Sequence, residues 1–330
     1  GLSRANKVPL APWLAYDGRR SSMPAKQDTP ERAGTWDLHG AVERDLAAPV
    51  WVATQGKLFG YVRRYRVHNP LTLKRVHEVV GWARRFDDQS IVGVLELIDV
   101  EGGVAVASQY EEGQLLASVL GRARRTRRKL PPPVAVAIAL DILDGLHAMG
   151  ARLSPTWSHG GVRPECILVT RGGRARIMDV GISATMGATD PLASDPRWSA
   201  YTAPEELEGG KPDKASDIFS VSALLWEMLA GRRAFDGLNH AQVKKRLLEE
   251  EVERIDSRVK KLPADLVEAI HQGLAREPNE RFSSATAFSQ ALRDSTPTIA
   301  ERADVADQLA ALLGVPLDTR NKALDRQLGR

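Results

Sequence analysis

The run HGGVRPECILVTRGGRARIMDVGISA, at residues 159–184, constrains this chain more than any other feature. It places small and polar residues at fixed distances from the carboxylate of Asp179. Gly161 has no side chain that could take a proton, and the thiol of Cys166 is a soft ligand, poorly matched to a hard cation such as Mg²⁺. Position 166 therefore lacks a ligand suited to a hard metal ion, and position 161 lacks a base.

Four later segments follow this run in a fixed order: YTAPE at 201–205, ASDIFSVSALLWEMLAG at 215–231, GRRAF at 231–235 and REPNERF at 276–282. Together they resemble the catalytic loop HxDxKPxN, the DFG turn, the APE segment, the central helix of the larger lobe, and the GxxPF and DPxxRP motifs of bacterial Ser/Thr (Hanks-type) protein kinases. The chain is similar to a degenerate member of that family, a pseudokinase.

The resemblance implies a bilobal α+β protein-kinase-like fold, with a small antiparallel-sheet N-lobe carrying helix C and a larger helical C-lobe. We expect a flexible leader at residues 1–34, an N-lobe at 35–108, a hinge at 109–114 and a C-lobe at 115–294. The tail, 295–330, contains the helix-like run IAERADVADQLAALLG, which could dock on the C-lobe or on a partner.

In the family, the loop Asp accepts the substrate proton, and the loop Asn and the DFG Asp hold magnesium. Those positions correspond here to Gly161, Cys166 and Asp179, while Arg163 replaces the loop Lys and Gly181 keeps the glycine of the turn. General-base assistance is worth roughly a hundredfold to ten-thousandfold in rate. The resemblance therefore implies little phosphoryl transfer, with Asp179 as the single candidate metal ligand.

Residues that hold the C-lobe together in the family are retained. The resemblance implies that Glu205 pairs with Arg281, that Asp217 accepts hydrogen bonds from the catalytic-loop backbone, and that His159 packs that loop under the activation segment. Removing one partner of a buried pair costs about 3–5 kcal/mol. The scaffold is thus expected to fold although the catalytic groups are missing.

The N-lobe departs further from the family pattern. If PVWVA aligns with the end of the glycine loop, the three phosphate-binding glycines correspond to Glu43, Asp45 and Ala48. Glycines let backbone amides approach phosphates closely, whereas carboxylates repel them. We expect no cofactor, with weak binding of Mg-ATP as the alternative.

The segment LFGYVRRYRV, at residues 58–67, alternates apolar and cationic residues and predicts a strand. It stands at the position of the family's VAIK strand. Since Val62 and Arg64 share a face, Arg64 is expected to replace the phosphate-pairing Lys, with Arg63 as the alternative one residue away. Glu78, on the next predicted helix, either pairs with Arg64 or is a surface residue. Ser108 corresponds to the gatekeeper, and such a small side chain leaves a deep pocket open unless a side chain such as Arg64 fills it.

The activation segment contains hydroxyl groups that another kinase could phosphorylate, and Arg163 could receive such a phosphate. The candidates are Thr185, Thr189, Ser194, Ser199 and Thr202.

The segment GRARRTRRKL, at residues 121–130, contains six cations, although the net charge of the chain is only +4. No aromatic residues lie between them to stack on bases, so nucleic acid is an unlikely partner. A solvated surface is favoured, and an acidic partner is the alternative. We expect no membrane span and a cytoplasmic location; the single Cys166 allows no internal disulfide.

Two functions from different classes remain open. The first is a catalytically inactive regulatory or scaffolding module that binds another protein, such as an active kinase or signalling protein, or a second copy of itself. The second is a divergent nucleotide-dependent transferase or nucleotide-binding sensor on the kinase fold.

Overall fold

A six-stranded antiparallel sheet forms the N-terminal lobe, in the order β1-β2-β3-β4-β6-β5. This computed structural model describes residues 31–42, 50–152, 157–186 and 194–314. The strands are β1 (Glu31–Ala33), β2 (Trp36–Ala41), β3 (Val50–Gln55), β4 (Leu58–Arg66), β5 (Val94–Val100) and β6 (Gly103–Gln109).

The sheet begins before the predicted domain boundary at Thr35. Residues of β1 pair with β2, so that Glu31 lies opposite Leu38. The predicted leader, residues 1–34, therefore overlaps the first strand, and its residues 1–30 lie outside the described part of the chain.

Both faces of this sheet are covered by apolar side chains. On the outer face, Trp36, Leu38 and Val62 are buried in one cluster. Gly60 accommodates the indole, because a Cβ at this position would lie 2.6 Å from Trp36 Cζ3. On the inner face, Tyr61 is buried in a different cluster. Apolar alternation alone therefore does not distinguish the two faces of β4.

Helix α1 (Pro70–Ala83) packs beside the sheet as the predicted helix C. Proline occupies the first turn, where no intrahelical N–H is needed, and the side chain of Asn69 caps the helix by accepting from two backbone amides. Val76, Val80 and Ala83 are buried on one face.

The lobes meet at a short connection and at a backbone ladder. After β6, the chain enters a three-stranded sheet of β7 (Gly113–Leu115), β8 (Ile167–Thr170) and β9 (Ala175–Ile177). Across the junction, Val92 N donates to Ile177 O and Ile177 N donates to Ser90 O, both at 2.8 Å. The segment that precedes β5 is thus hydrogen-bonded to β9 of the large lobe.

The C-terminal lobe is helical, which confirms the predicted bilobal fold. Its helices are α2 (Leu116–Thr126), α3 (Pro132–Arg152), α4 (Ile182–Met186), α5 (Pro196–Ser199), α6 (Pro204–Leu207), α7 (Lys214–Ala230), α8 (His240–Glu249), α9 (Ile255–Arg258), α10 (Ala264–Gly273), α11 (Ala285–Ser295) and α12 (Arg302–Leu313).

Helix α3 is long and apolar, which bears on the expectation that the chain has no membrane span. Its length and hydropathy alone would suffice to cross a bilayer, but 72% of its most apolar stretch is buried. It packs against α7 and α11 in the centre of the lobe. This burial is typical of the core helix of a folded domain.

Helix α12 lies against α2 and α3 of the C-lobe. Val305, Leu309 and Leu312 are buried, and Arg302 forms an ion pair with the buried Asp141 of α3. The predicted tail helix is therefore docked on the C-lobe, while residues 315–330 lie outside the described part.

Candidate functional site

Asp217 of α7 holds the loop at residues 157–166 through hydrogen bonds to the loop backbone. Its carboxylate accepts hydrogen bonds from His159 N at 2.7 Å and Gly160 N at 2.9 Å. Burial raises the pKa of Asp217 to about 8, although these two bonds act to lower it. His159 is fully buried, and its Nε2 donates to Met178 O at 2.8 Å. Asp217 and His159 thus occupy the places that the resemblance implies.

Gly161, at the position of the family's base, packs directly against α4. A Cβ added to Gly161 would lie 2.7 Å from Nη1 of Arg163 and 2.8 Å from Oγ of Ser183, and would overlap the Cβ of Ser183. Such contacts are closer than real Cβ atoms make. Any side chain at this position requires that Ser183 and Arg163 move.

Arg163, the proposed receiver of a phosphate, is held by contacts inside the protein. Its guanidinium donates to Ser183 Oγ at 3.1 Å and to Gly161 O at 3.2 Å. The same group lies 3.6 Å from the centre of the Trp198 ring, a cation–π distance. Arg163 is only 5% exposed, so it serves to join the loop to the activation segment.

Arg63, rather than Arg64, projects into the cleft between the lobes. Its guanidinium forms an ion pair with Asp179, and the two side chains are 2% and 1% exposed. It also donates to Glu165 O and lies 3.6 Å from the sulfur of Cys166. Arg63 therefore joins β4 to both the catalytic loop and the DFG-like turn.

Arg64 does not replace the phosphate-pairing Lys and does not pair with Glu78; the stated alternatives, Arg63 in the cleft and Glu78 as a surface residue, agree with the structure. Arg64 lies on the other face of β4 and donates to Arg32 O at 2.7 Å. Glu78 is on the exposed side of α1, away from that interaction. The reason is that Val62, which shares a face with Arg64, packs with Trp36 on the outer side of the sheet.

The DFG-like turn is built tightly around Asp179. This residue has φ 62° and Gly181 has φ 70°, both in the left-handed region. A Cβ at Gly181 would lie 2.9 Å from Val79 of α1. Cys166 is fully buried, and its thiol donates to Asp179 Oδ2 at 3.4 Å. The Asp179 carboxylate is thus engaged by a guanidinium and a thiol.

These contacts leave few oxygen ligands of the kind that Mg²⁺ requires. Within the described ranges, no group of three or more His, Cys, Asp or Glu side chains is arranged to hold a metal ion. The positive charge nearest Asp179 is the Arg63 guanidinium. The proposed counterparts of the phosphate-binding glycines, Glu43, Asp45 and Ala48, lie outside the described residues.

The other end of the cleft is occupied by Tyr61. This side chain is 3% exposed, and its hydroxyl donates to Glu111 O in the hinge at 2.6 Å. Tyr61 lies directly opposite Ser108 in the β4–β6 pair, and opposed residues point to the same face. The large ring of Tyr61, instead of Arg64, therefore covers the inner face beside the small gatekeeper side chain.

Glu205 and Arg281 form the pair that the resemblance implies. Arg281 donates from Nη1 to Oε1 at 2.9 Å and from Nη2 to Oε2 at 2.8 Å, which is the bidentate geometry. Burial acts to raise the pKa of Glu205, but the hydrogen bonds from Arg281 and Ser216 hold it below its usual value. The pair ties α6 to the segment that precedes α11.

The candidate phosphorylation sites differ widely in accessibility. Ser194 is exposed, whereas Thr185 and Thr202 are half-buried and Thr189 lies outside the described residues. Ser199 is fully buried, with its hydroxyl 3.0 Å from Asp195 O and 2.6 Å from Nδ1 of His240. Burial excludes Ser199 as an accessible site in this conformation.

Of the two side chains that fill the cleft, sequence reasoning missed Tyr61 and ranked Arg63 second. Tyr61 had no assigned role, and Arg63 was only the alternative to Arg64. The available signal was their spacing, because residues two apart on a strand share a face. Tyr61, two positions before Arg63, therefore places a bulky ring beside Arg63 on the face of β4 that lines the cleft.

Comparison with known proteins agrees with this architecture. The sequence profile of the protein kinase domain matches residues 65–293. Tyrosine-protein kinase MasK of Myxococcus xanthus is 26% identical over 235 residues, which are 68% of this chain and 36% of MasK. Serine/threonine-protein kinase PknK of Mycobacterium tuberculosis is 37% identical over 157 residues, 46% of this chain and 13% of PknK. The chain thus spans well under half the length of these relatives.

The solved kinase domain of PknI from Mycobacterium tuberculosis has the same fold. It superposes with a TM-score of 0.64 over 82% of this chain and 100% of that chain, at 18% sequence identity. Because the family profile covers more than half of the sequence, from residue 65 to residue 293, the chain belongs to the protein kinase domain family.

Proposed function

We propose that this chain is a catalytically inactive pseudokinase, which serves as a regulatory or scaffolding module in bacterial signalling and binds little or no Mg-ATP. The observation that carries the proposal is the packing of Gly161 against Ser183 and Arg163. The position of the family's general base has neither a proton acceptor nor room for one.

The Arg63–Asp179 ion pair supports the same conclusion. In the family, the aspartate of this turn holds magnesium. Here its carboxylate faces a buried guanidinium, and Cys166 offers sulfur in place of an amide oxygen. A second cation at Asp179 would have to displace Arg63 against like-charge repulsion. The residues present therefore do not fit a magnesium–nucleotide complex.

Binding to another protein is the function that remains for an intact scaffold. The Glu205–Arg281 pair, in which Arg281 is buried, and the Asp217 hydrogen bonds hold the C-lobe in a fixed shape without ligand. The partner that we propose is an active kinase or another signalling protein, with a homodimer as the alternative assembly.

The test is a phosphoryl-transfer assay on the purified chain with radiolabelled ATP, in Mg²⁺ and in Mn²⁺, with the chain itself and a generic protein as acceptors. We expect no incorporation of phosphate. Asp179→Asn is the matched control, since it removes the metal-binding candidate and keeps a residue type that tolerates positive φ. Incorporation by the parent chain that disappears in Asp179→Asn would overturn the proposal.

A thermal-shift series with ATP, ADP and GTP, each with Mg²⁺, Mn²⁺ or neither, tests the nucleotide part. A ligand that binds only the folded state raises Tm by mass action, so we expect no shift. A metal-dependent shift that is lost in Asp179→Asn would favour the nucleotide-binding sensor, and intact-mass detection of a transferred nucleotide would favour the divergent transferase.

A further inference from the structure

Tyr61 connects the small lobe to the hinge at the edge of the cleft. It stands on β4 of the small lobe, and its hydroxyl donates to the backbone carbonyl of Glu111 in the hinge. Its ring lies 5.2 Å from the ring of Tyr110, centre to centre. The side chain is thus fixed at both its apolar and its polar end.

The buried cluster around Tyr61 draws on both lobes. Val50 and Val52 come from β3 of the small lobe, whereas Leu168 and Met178 come from the floor of the large lobe. All four are at most 8% exposed. The ring therefore belongs to an apolar layer that continues from one lobe into the other.

Arg63 crosses the cleft two residues farther along the same strand face. Alternate side chains on a strand are about 7 Å apart, so Tyr61 and Arg63 stand side by side. Arg63 reaches Asp179 and the carbonyl of Glu165, both in the large lobe. Two side chains of β4 therefore contact the large lobe across the cleft, Tyr61 by apolar packing and Arg63 by its charge.

We propose that Tyr61 and Arg63 together act as a built-in substitute for a cleft ligand, which keeps the two lobes closed without nucleotide. This inference rests on the proposed function, since it assigns the cleft to the chain's own side chains. Without the Tyr61 ring, the space would suit a flat aromatic molecule with an O–H or N–H group that donates to Glu111 O.

A covalently attached occupant has an entropic advantage over a free ligand. A free molecule loses translational and rotational freedom when it binds, whereas Tyr61 and Arg63 are already held by β4. Closure would then be independent of the nucleotide concentration, and a partner would meet the closed form of the two lobes. Control would have to come from a partner or a modification that separates the lobes.

The experiment fills the space left by Tyr61→Ala with phenol, which has the ring and hydroxyl that the substitution removes. Benzene is the comparison ligand, because it has the ring without the donor. We expect Tyr61→Ala to lower Tm by roughly 5–8 °C. Phenol should restore more of this loss than benzene does. Phe288→Ala is the matched control, since Phe288 is fully buried in the C-lobe and away from the cleft; there, benzene should stabilise at least as well as phenol.

Spin labels report the separation of the lobes in the same variants. Lys57→Cys and Lys211→Cys place them on exposed residues of the small and the large lobe, while Cys166 is fully buried. We expect a narrow distance distribution that Mg-ATP does not change, a broader one in Tyr61→Ala, and a narrow one again with phenol. An unchanged distribution in Tyr61→Ala, with phenol no better than benzene, would overturn the inference.

Tyr61→Phe covers the case in which Tyr61→Ala does not fold. It keeps the ring and removes the hydrogen bond to Glu111 O, so we expect Tm to fall by roughly 2–5 °C and amide exchange in the hinge to accelerate. Unchanged hinge exchange in Tyr61→Phe would also contradict the inference. These outcomes are separate from those of the phosphoryl-transfer assay. Phosphoryl transfer by the parent chain would refute the proposed function, whereas the distances between the spin labels decide whether Tyr61 holds the lobes closed.

Discussion

Replacing Arg63 with Met should lower the free energy of unfolding by about 3–5 kcal/mol, because it leaves the buried Asp179 carboxylate without its cation. The Arg63 side chain is 2% exposed and that of Asp179 is 1% exposed, so solvent screens the pair little. Two unit charges 4 Å apart attract by about 4 kcal/mol at an effective dielectric constant of 20. The hydrogen bond to Glu165 O contributes about 1 kcal/mol more.

The double variant Arg63→Met/Asp179→Asn isolates the charge. Removing both charges relieves the uncompensated carboxylate, and Asn tolerates the positive φ at this position. We expect the double variant to be about 2–3 kcal/mol more stable than the sum of the single effects predicts, which is the coupling range of contacting residues. Urea unfolding at constant pH, followed by tryptophan fluorescence, measures all three variants.

Arg171→Met is the control for loss of an exposed ion pair. Arg171 and Glu112 are 60% and 43% exposed, and such surface pairs contribute about 0–1 kcal/mol. The reasoning is refuted if Arg63→Met costs no more than Arg171→Met, or if the two single substitutions in the cleft are additive.

Three further predictions concern the C-lobe and the activation segment. Arg281→Met should destabilise the fold and make its free energy of unfolding depend less on pH in acid. The lowered pKa of Glu205 contributes stability that is complete above pH 4.5 and is lost as the pH falls through the pKa of the folded state. Urea unfolding from pH 7 to 3 measures this effect, and an unchanged dependence of the unfolding free energy on pH would contradict it. Burial lowers the pKa of His159 from 6.5 to about 4, so the free energy of unfolding should fall as the pH drops between these values. His159→Gln should remove this pH dependence in the same series of urea unfolding measurements. If the variant keeps the pH dependence of the parent, His159 is not its source. After co-expression with an active kinase, mass spectrometry should find phosphate on exposed Ser194 and none on buried Ser199; phosphate on Ser199 would show that α5 opens.

The C-lobe could be predicted from sequence because its polar contacts join residues in recognisable motifs. Glu205 lies in the APE segment and Arg281 in the DPxxRP segment, and the two meet in the structure as the resemblance implies. Asp217 likewise reaches the loop at His159. Because the residues that make these contacts are themselves the motif residues, recognising the motifs is enough to predict the contacts.

The cleft could not be predicted in the same way. Periodicity identified β4 and placed Arg63 and Arg64 on opposite faces, but both faces of the sheet are apolar, since Trp36 covers the outer one. Which cation pointed inward therefore depended on the packing of Trp36 over Gly60, which involves strands far apart in sequence. The role of Tyr61 depended on the position of the hinge carbonyl, for which the sequence contains no pattern.

The close packing of Gly161 makes any return to catalysis a problem of several simultaneous changes. Substitution of an acid at this position alone would introduce a side chain where Ser183 and Arg163 already stand, so the first step would damage the fold before it provided a base. Freeing Asp179 by changing Arg63 alone would strand a buried charge. Each of these two substitutions alone would lower the stability of the fold without restoring catalysis. Mutation of one residue at a time would therefore tend to keep the chain inactive.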